Sequence, residues 1–434
     1  MKRTALLGIV VVLTCACGQS SLSYRKDVNH FIAAGHYDAA EAKVEEAKGS
    51  IYKEKDSLLY YLDLGLVQHD AHKPAESDAN FALAQQRIDE LFTKSISANV
   101  AKVVKNDTTT PYDGAEYEKA MTYVYRALNF LERNDLQGAL VEARKAVFNL
   151  DYLRKHKKTG YNDDPFVQYF ASLLFEMEGN LSSARIARAN ALSAYERFAP
   201  FYSVSAPNFA VPQNADKMGE IIFIHYNGHI PQLTSRTMQI AWDRALLVTS
   251  ESDELLNEDA SVQNAVIAGI AGNAITIAYP VMTSMPYYIQ GSNITAAGIT
   301  QDTVLMHDLA ALAQKELSDD MPGIMARLIA RAAIKQVLNV QAQNVTKSLT
   351  DDDNLAMLAG MLVRGLSAAV EKADTRMWFT LPAEVRMSRL FIPPGKHTVV
   401  FTAYDHAGSK METHNFDVEL KAGERIFLHH RTAK

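Results

Sequence analysis

Three stretches of the N-terminal half share one local pattern, and that pattern restricts the fold more than any other feature of the chain. AAGHYDAAEAKVEEA carries Gly35, Tyr37 and Ala40; ERNDLQGALVEARKAV carries Asn134, Leu136 and Ala139; MEGNLSSARIARANAL carries Gly179, Leu181 and Ala184. Each gives a turn residue, an apolar residue two later and an alanine five later. VQHDAHKPAESDANFALAQ, around Ala71 to Ala84, is a degenerate copy. The pattern predicts a helix ending in a tight turn, then a second helix whose alanine lets it pack close to the first. The first helices are visible upstream. Met121, Tyr125, Leu128 and Leu131 fall at helical spacing before Asn134, and Phe166, Phe170 and Leu174 before Gly179.

Over residues 24–198 the chain resembles tetratricopeptide repeats of irregular pitch. That resemblance implies a curved stack of helical hairpins that binds peptides or proteins. The stretch KNDTTTPYDGAEYE breaks the period with Asp107, three threonines, Pro111 and Gly114, so it is read as a loop. Tyr112 and Tyr117 are expected to anchor it on neighbouring helices.

Both cysteines of the 434-residue chain lie in VVVLTCACGQSS. Lys2 and Arg3 precede a nine-residue apolar run, Ala5 to Leu13, too short to span a bilayer. Ala16 before Cys17 resembles a bacterial lipobox, so residues 1–16 are expected to be a signal peptide and Cys17 the lipidated residue. Cys15 would place the bulkier Thr14 in the peptidase pocket. A thiol metal pair is not expected, since two thiols cannot complete a tetrahedral site. The processed chain would lose Lys2 and Arg3, changing 44 basic residues to 42 against 50 acidic, a net charge of −8. No aspartate follows Cys17, so the outer membrane, facing the periplasm, is the expected location. No nucleic-acid partner is expected.

After the helical region, 17–198, a linker or surface-wrapping chain is expected over 199–218, with Pro200, Pro207 and Pro212. A mixed strand and helix domain is expected over 219–375. Ile221 to Tyr226 read as a buried strand and Asn227-Gly228 as a hairpin turn. His225 and His229 have no third ligand nearby in sequence, and no metal site is assigned to them. NAVIAGIAGNAITIAYPVM is the most apolar run of the processed chain. It reads as a small-residue helix entering a strand, Ile275 to Ile277, and its Gly269 and Gly272 lack the Lys-Ser or Lys-Thr of a phosphate loop. Two helices broken near Pro322 follow, the second carrying Arg327, Arg331 and Lys335 as a solvated basic stripe opposite Met325, Ile329 and Ala332. Asp351 to Asp353 open another helix, without EF-hand spacing.

Beyond residue 376 the period becomes two. EVRMSRLFI, KHTVVFTAY, ETHNFDVEL and ERIFLHHRT predict four strands joined at Pro393-Pro394-Gly395, His406-Ala407-Gly408 and Ala422-Gly423. A small antiparallel β-sandwich over 376–434 is expected. PPGKHTVVFTAYD and AGERIFL make it resemble transthyretin-like or carbohydrate-binding modules, which implies fold only. Ahead of it, Arg376 and Trp378 in KADTRMWFTLPAEV are read as a salt-bridged junction with Trp378 closing the core.

The lipobox together with YDGAEYEKAMTYVYRALNFL, GEIIFIHYNGHIP, IARAAIK and ADTRMWFTLP resembles a family of bacterial outer-membrane lipoproteins with tetratricopeptide-like repeats. The resemblance implies an architecture and an anchor, with no mechanism and no functional residue besides Cys17. The chain has no Gly-x-Ser-x-Gly and no His-Glu-x-x-His. No enzyme and no cofactor are therefore expected, and Glu45-Glu46 reads as an exposed pair. The expected fold class is α+β multidomain: a helical array, a mixed middle and a C-terminal sandwich. The expected function is a membrane-anchored scaffold binding a protein partner, in envelope assembly or control of cell-wall synthesis. The alternative is a cell-wall or polysaccharide-export accessory that binds or hydrolyses glycan.

Overall fold

The computed structural model describes residues 21–97, 107–156, 163–241, 274–349 and 373–434. Cys15, Cys17, the expected helical part of the apolar run and Asp351 to Asp353 lie outside the described residues.

The N-terminal half folds as consecutive helices: α1 (Ser21–Ala33), α2 (Tyr37–Glu46), α3 (Ser57–Asp70), α4 (Pro74–Ser97), α5 (Glu116–Glu132), α6 (Leu136–His156), α7 (Pro165–Glu178) and α8 (Leu181–Phe198). Each packs on the next. Local chemistry fixes their ends. Asp164 caps α7 by accepting from the Val167 amide at 3.0 Å, with Pro165 in the first turn, and Asn180 caps α8 through the Ser183 amide at 3.1 Å.

The four hairpins α1–α2, α3–α4, α5–α6 and α7–α8 turn in the same way. Gly35, His72, Asn134 and Gly179 have φ of +70°, +54°, +59° and +79°. In each, the turn residue's amide donates to the carbonyl three residues back and the next amide to the carbonyl five back, a Schellman turn. The degenerate copy thereby gains its register: His72 is the turn, Pro74 opens α4, and Ser77 stands where the others have alanine. Ala40, Ala139, Ala184 and Ser77 are all buried. The Ser77 hydroxyl, the one polar group among them, donates to the Gly65 carbonyl at 2.7 Å.

Among the described residues the β elements form three sheets. Strands β1 (Gly219–Asn227), β6 (Val304–Asp308), β7 (Glu384–Ile392) and β10 (Arg425–Thr432) make one, in the order β10-β1-β7-β6, with β1 parallel to β10 and antiparallel to β7. Strands β4 (Ile289–Ala296), β5 (Ile299–Asp302), β8 (Gly395–Asp405) and β9 (Lys410–Leu420) make the second, in the order β5-β4-β8-β9. Strands β2 (Gln232–Ala241) and β3 (Ala274–Thr283) pair as a separate ribbon. One more helix, α9, runs from Leu309 to Leu349.

Every residue of β1 is buried because its two faces meet different layers. Ile222, Ile224 and Tyr226 join the helices, while Ile221 and Phe223 join β4, β7 and β8. Phe223 stacks on Phe401 at 5.1 Å. A strand covered on both faces reads as an unbroken apolar run, which is why alternation is missing from EIIFIHY.

Several expectations are corrected. The boundary at 376 runs through both sheets: β7 and β10 sit on either side of β1, and β8 pairs with β4. Of the three expected strand junctions, only His406-Ala407-Gly408 closes a hairpin, β8–β9. The other two carry the chain from one sheet to the other, since each sheet needs partners from the middle region to complete its core. Asn227-Gly228 is no hairpin either; β2 leaves the sheet to pair with β3. VLMHD, expected to open the first of the two helices, forms β6 instead, and β4 and β5, which the sequence does not announce, are joined by a tight turn at Ala297 and Gly298, with φ of +51° and +75°. Residues 199–218 are anchored in part by Tyr202, which is buried and donates to or accepts from His307 Nδ1.

The break expected at Pro322 does not occur; α9 continues through it. Proline removes one helical bond, but Leu309, Leu312 and Ala313 on one side and Leu328 and Ile329 on the other are buried, and their packing holds the axis. Of the stripe expected to be solvated, Arg331 is buried and Arg327 partly so; opposite it, the expected apolar face packs, with Ile329 against Ile277 of β3.

Because among the described residues β10 bonds to no strand but β1, residues 376–434 expressed alone should not hold this fold. Circular dichroism and amide dispersion of that fragment are expected to be those of an unfolded chain; a dispersed spectrum would mean that β1 is dispensable.

Candidate functional site

The inner helices α3, α5 and α7 rest on the first sheet, and one segment stitches the layers together. Residues 373–381 cross the array with a partner at nearly every step. Arg25 Nη2 donates to the Thr375 carbonyl at 2.6 Å. Arg376 pairs with Asp374 at 2.6 Å and with Asp56 at 2.7 Å. The Trp378 amide donates to Glu118 Oε1 at 2.8 Å, and Thr380 Oγ1 donates to Asp63 Oδ1 at 2.8 Å. The junction is thus salt-bridged and closed by the fully buried Trp378, as the sequence predicts. Glu118 is the part the sequence did not reveal. At the third position of α5 it also accepts from Tyr112 Oη at 2.6 Å and the Ala115 amide at 3.0 Å, tying the loop before α5 to the core.

A second network joins α7 to the sheet. Glu220 of β1 receives Arg389 Nε and Arg425 Nε, each at 2.5 Å, and Arg425 reaches Glu176 of α7 at 3.1 Å. These groups border an open cleft of about 690 Å³. Of the four carboxylates that line it, Glu176 and Glu220 are held by arginines, and Asp216 and Glu424 lie beside them. Elsewhere Tyr202, His307 and Asp164 have the residue types of a proton relay, but His307 and Asp164 are sealed in the core. Glu45 and Glu46 are exposed, and Glu46 pairs with Lys43.

His225 is buried between the two sheets, Nε2 against Thr432 Oγ1 at 2.7 Å and Nδ1 against Ser292 Oγ at 2.9 Å. His229 is buried beyond the end of the strand. The two do not form a converging ligand set with a third group among the described residues.

One group of side chains does converge. His69 and His72 lie at the end of α3 and its turn, Glu132 ends α5, and His429 lies on the helix-facing side of β10. His69 stacks on His429 at 4.2 Å, and His72 stacks on His429 at 4.6 Å. His72 Nδ1 is 3.1 Å from Glu132 Oε1, and His429 Nε2 is 3.7 Å from Glu132 Oε2. On the inner side, His69 Nδ1 meets Asn129 Oδ1 at 2.7 Å, and Asn129 Nδ2 donates to Ser77 Oγ at 2.8 Å. Tyr226 Oη lies 3.4 Å from His69 Nε2. The cluster therefore grades from a sealed polar chain to an open rim formed by His72 and Glu132. Just around β10, His430 stacks on His414 at 4.7 Å and bonds Glu412 at 2.7 Å.

Burial sets the charge states. It pushes the His69 imidazole far below its usual range, with His429 adding repulsion. Burial likewise lowers His429. At Glu132 burial works upward, but the adjacent imidazoles of His429 and His72 outweigh it and hold the carboxyl well below the carboxylate range. The bond to Glu132 raises His72.

Nothing in VQHDAHK or ERIFLHHRT marks the two segments as neighbours. The available signal was His69-x-x-His72 at a helix end; its partner, more than 350 residues on, is brought there only by the parallel pairing of β10 with β1.

The fold and this junction define an α+β protein in which a helical array clasps the central one of its sheets. No protein-family model matches the chain, and no curated protein matches it.

Proposed function

We propose that this is a lipid-anchored scaffold of the bacterial outer membrane, tethered through Cys17 and facing the periplasm, which holds a protein partner during envelope assembly or control of cell-wall synthesis. In this reading the helices are a tetratricopeptide-type array, and the two four-stranded sheets are a β-sandwich that the C-terminal module completes. What carries it is the division of labour among the helices. The inner helices pack on the chain's own sheet, so the surface left for a partner is the outer one, on α4 and α6. There Phe148 is 75% exposed, with Val141, Tyr152 and Phe92 also open to solvent. Val141, Phe148 and Tyr152 fall at seven- and four-residue steps, one face of α6. Phe92 meets Tyr152 ring to ring at 6.1 Å. Beside them runs a polar groove of about 640 Å³ lined by Gln85, Asp89, Arg126 and Lys145. An apolar anchor row flanked by hydrogen-bonding groups suits a protein segment. Among the described residues no helix is long and apolar enough to cross a membrane, and a lipid at Cys17 would supply the attachment.

The test is capture from envelope extract. Phe148→Asp should leave the unfolding free energy within about 0.5 kcal/mol of wild type, being a surface change, and should abolish capture. Cys17→Ser should end palmitate labelling and release the chain from membranes. Retention on cell-wall glycan that Phe148→Asp does not alter would favour the glycan-binding alternative instead.

A further inference from the structure

We infer that His72, Glu132 and His429 form a binding site for a divalent transition-metal ion, zinc by its ligand set, independently of the scaffold reading. Among the described residues this is the group of three histidine or carboxylate side chains whose ligand atoms converge, all within 4.8 Å of one another. Two imidazoles and one carboxylate are the donors of many zinc sites. Bonds of about 2.0–2.2 Å bring ligand atoms to roughly 3–4 Å apart; His72, now stacked on His429 with the ring planes 30° apart, would turn out of the stack on the open rim to bring its lone pair onto the ion.

Two further observations point to a ligand. His429 is only 7% exposed, yet its Nε2 has no hydrogen-bond partner and faces Glu132 across 3.7 Å. A buried polar nitrogen without a bond is costly, and a metal ion would satisfy it. The second lies in the comparison of the hairpins. Where Gly35, Asn134 and Gly179 make the left-handed turn, α3–α4 uses His72 at φ +54°. A β-carbon is disfavoured in that region, so glycine would make the better turn. Histidine there aims its Nδ1 at Glu132. His69, stacked on the far face of the cluster and bonded to Asn129, fixes the plane of His429 as a positioning residue. The three ligands come from the α3–α4 turn, the end of α5 and β10, so the ion would pin two hairpins of the array to the sheet. With His72 and Glu132 exposed, a fourth position stays open to water.

The full chain, carrying no histidine tag, should retain one Zn²⁺ per chain through equilibrium dialysis against zinc chloride, and zinc should raise its melting temperature. His72→Gly, whose glycine suits the turn and should fold without metal at least as well as the wild type, should lose more than about tenfold in zinc affinity. It should also lose the zinc-dependent rise in melting temperature. Glu132→Gln should behave likewise, while His406→Ala, at the exposed β8–β9 turn, should bind as wild type. Failure of the wild type to retain zinc, or undiminished zinc affinity in His72→Gly, would overturn the assignment.

Discussion

Replacing Trp378 by alanine is expected to destabilise the entire chain by about 3–5 kcal/mol, the range for deleting a buried indole. Trp378 is fully buried, its ring 5.7 Å from Phe81 of α4 and 5.8 Å from Tyr125 of α5. Its Nε1 donates to Thr380 Oγ1 at 3.0 Å, and that hydroxyl in turn donates to Asp63 of α3. The indole therefore fills space between helices and holds the strap that leads into β7. Truncation leaves a cavity that neither layer can collapse to fill without shifting the other. Array and first sheet share one apolar cluster, so both should lose stability together. Urea unfolding followed by circular dichroism would give the loss, and hydrogen exchange would show α5 and β7 losing protection in parallel. A loss confined to the strands would mean that the two layers fold independently.

The second large effect is acid sensitivity at His225. Burial, reinforced by the nearby charges of His430, Arg386 and Arg431, holds its imidazole well below the ordinary value near 6.5. Below pH 6.5 the unfolded chain therefore takes up a proton that the folded chain refuses. The stability due to His225 is complete above that pH and falls as pH drops, by about 1.4 kcal/mol per unit. His229, pushed down to about 3 by burial, acts in the same direction. Asp63 and Asp70 act oppositely: burial raises them to about 7 and about 6, so each gains stability as pH falls toward the ordinary carboxylate range. The wild-type slope is a difference among these groups, and the comparison with His225→Gln isolates one of them. Between pH 6.5 and 4.5 the variant should lose less stability than the wild type, the difference being at most about 2 kcal/mol. Equal losses in denaturant titrations at the two pH values would mean that His225 accepts its proton in the folded state.

Local order was legible in the sequence because its causes are local. The turns at Gly35, Asn134 and Gly179 follow from residues that tolerate positive φ, and Ala139 and Ala184 are buried where the spacing put them. The last four strands matched their alternation to within a residue or two, since each of β8 and β9 keeps one face toward the core. Arg376 and Trp378 behaved as a junction because a charged residue beside a tryptophan, between two kinds of periodicity, has few other places to go. The candidate metal site was half legible: His69-x-x-His72 places a positioning residue and a ligand at a helix end, but nothing near residue 429 names its partner.

Tertiary structure alone decided how the pieces join. Pairing between β1 and β10 joins residues more than 200 apart, and hydrogen bonds between strands carry no sequence label. That one parallel pairing moves β10 out of a self-contained module, brings His429 to Glu132, and lays the inner helices on a sheet rather than leaving them to a partner. Pro322 within α9 shows the same ordering of forces, because apolar burial on both sides outweighs the hydrogen bond that proline removes. Short-range spacing determined the elements of this protein, and long-range burial determined which of their faces meet.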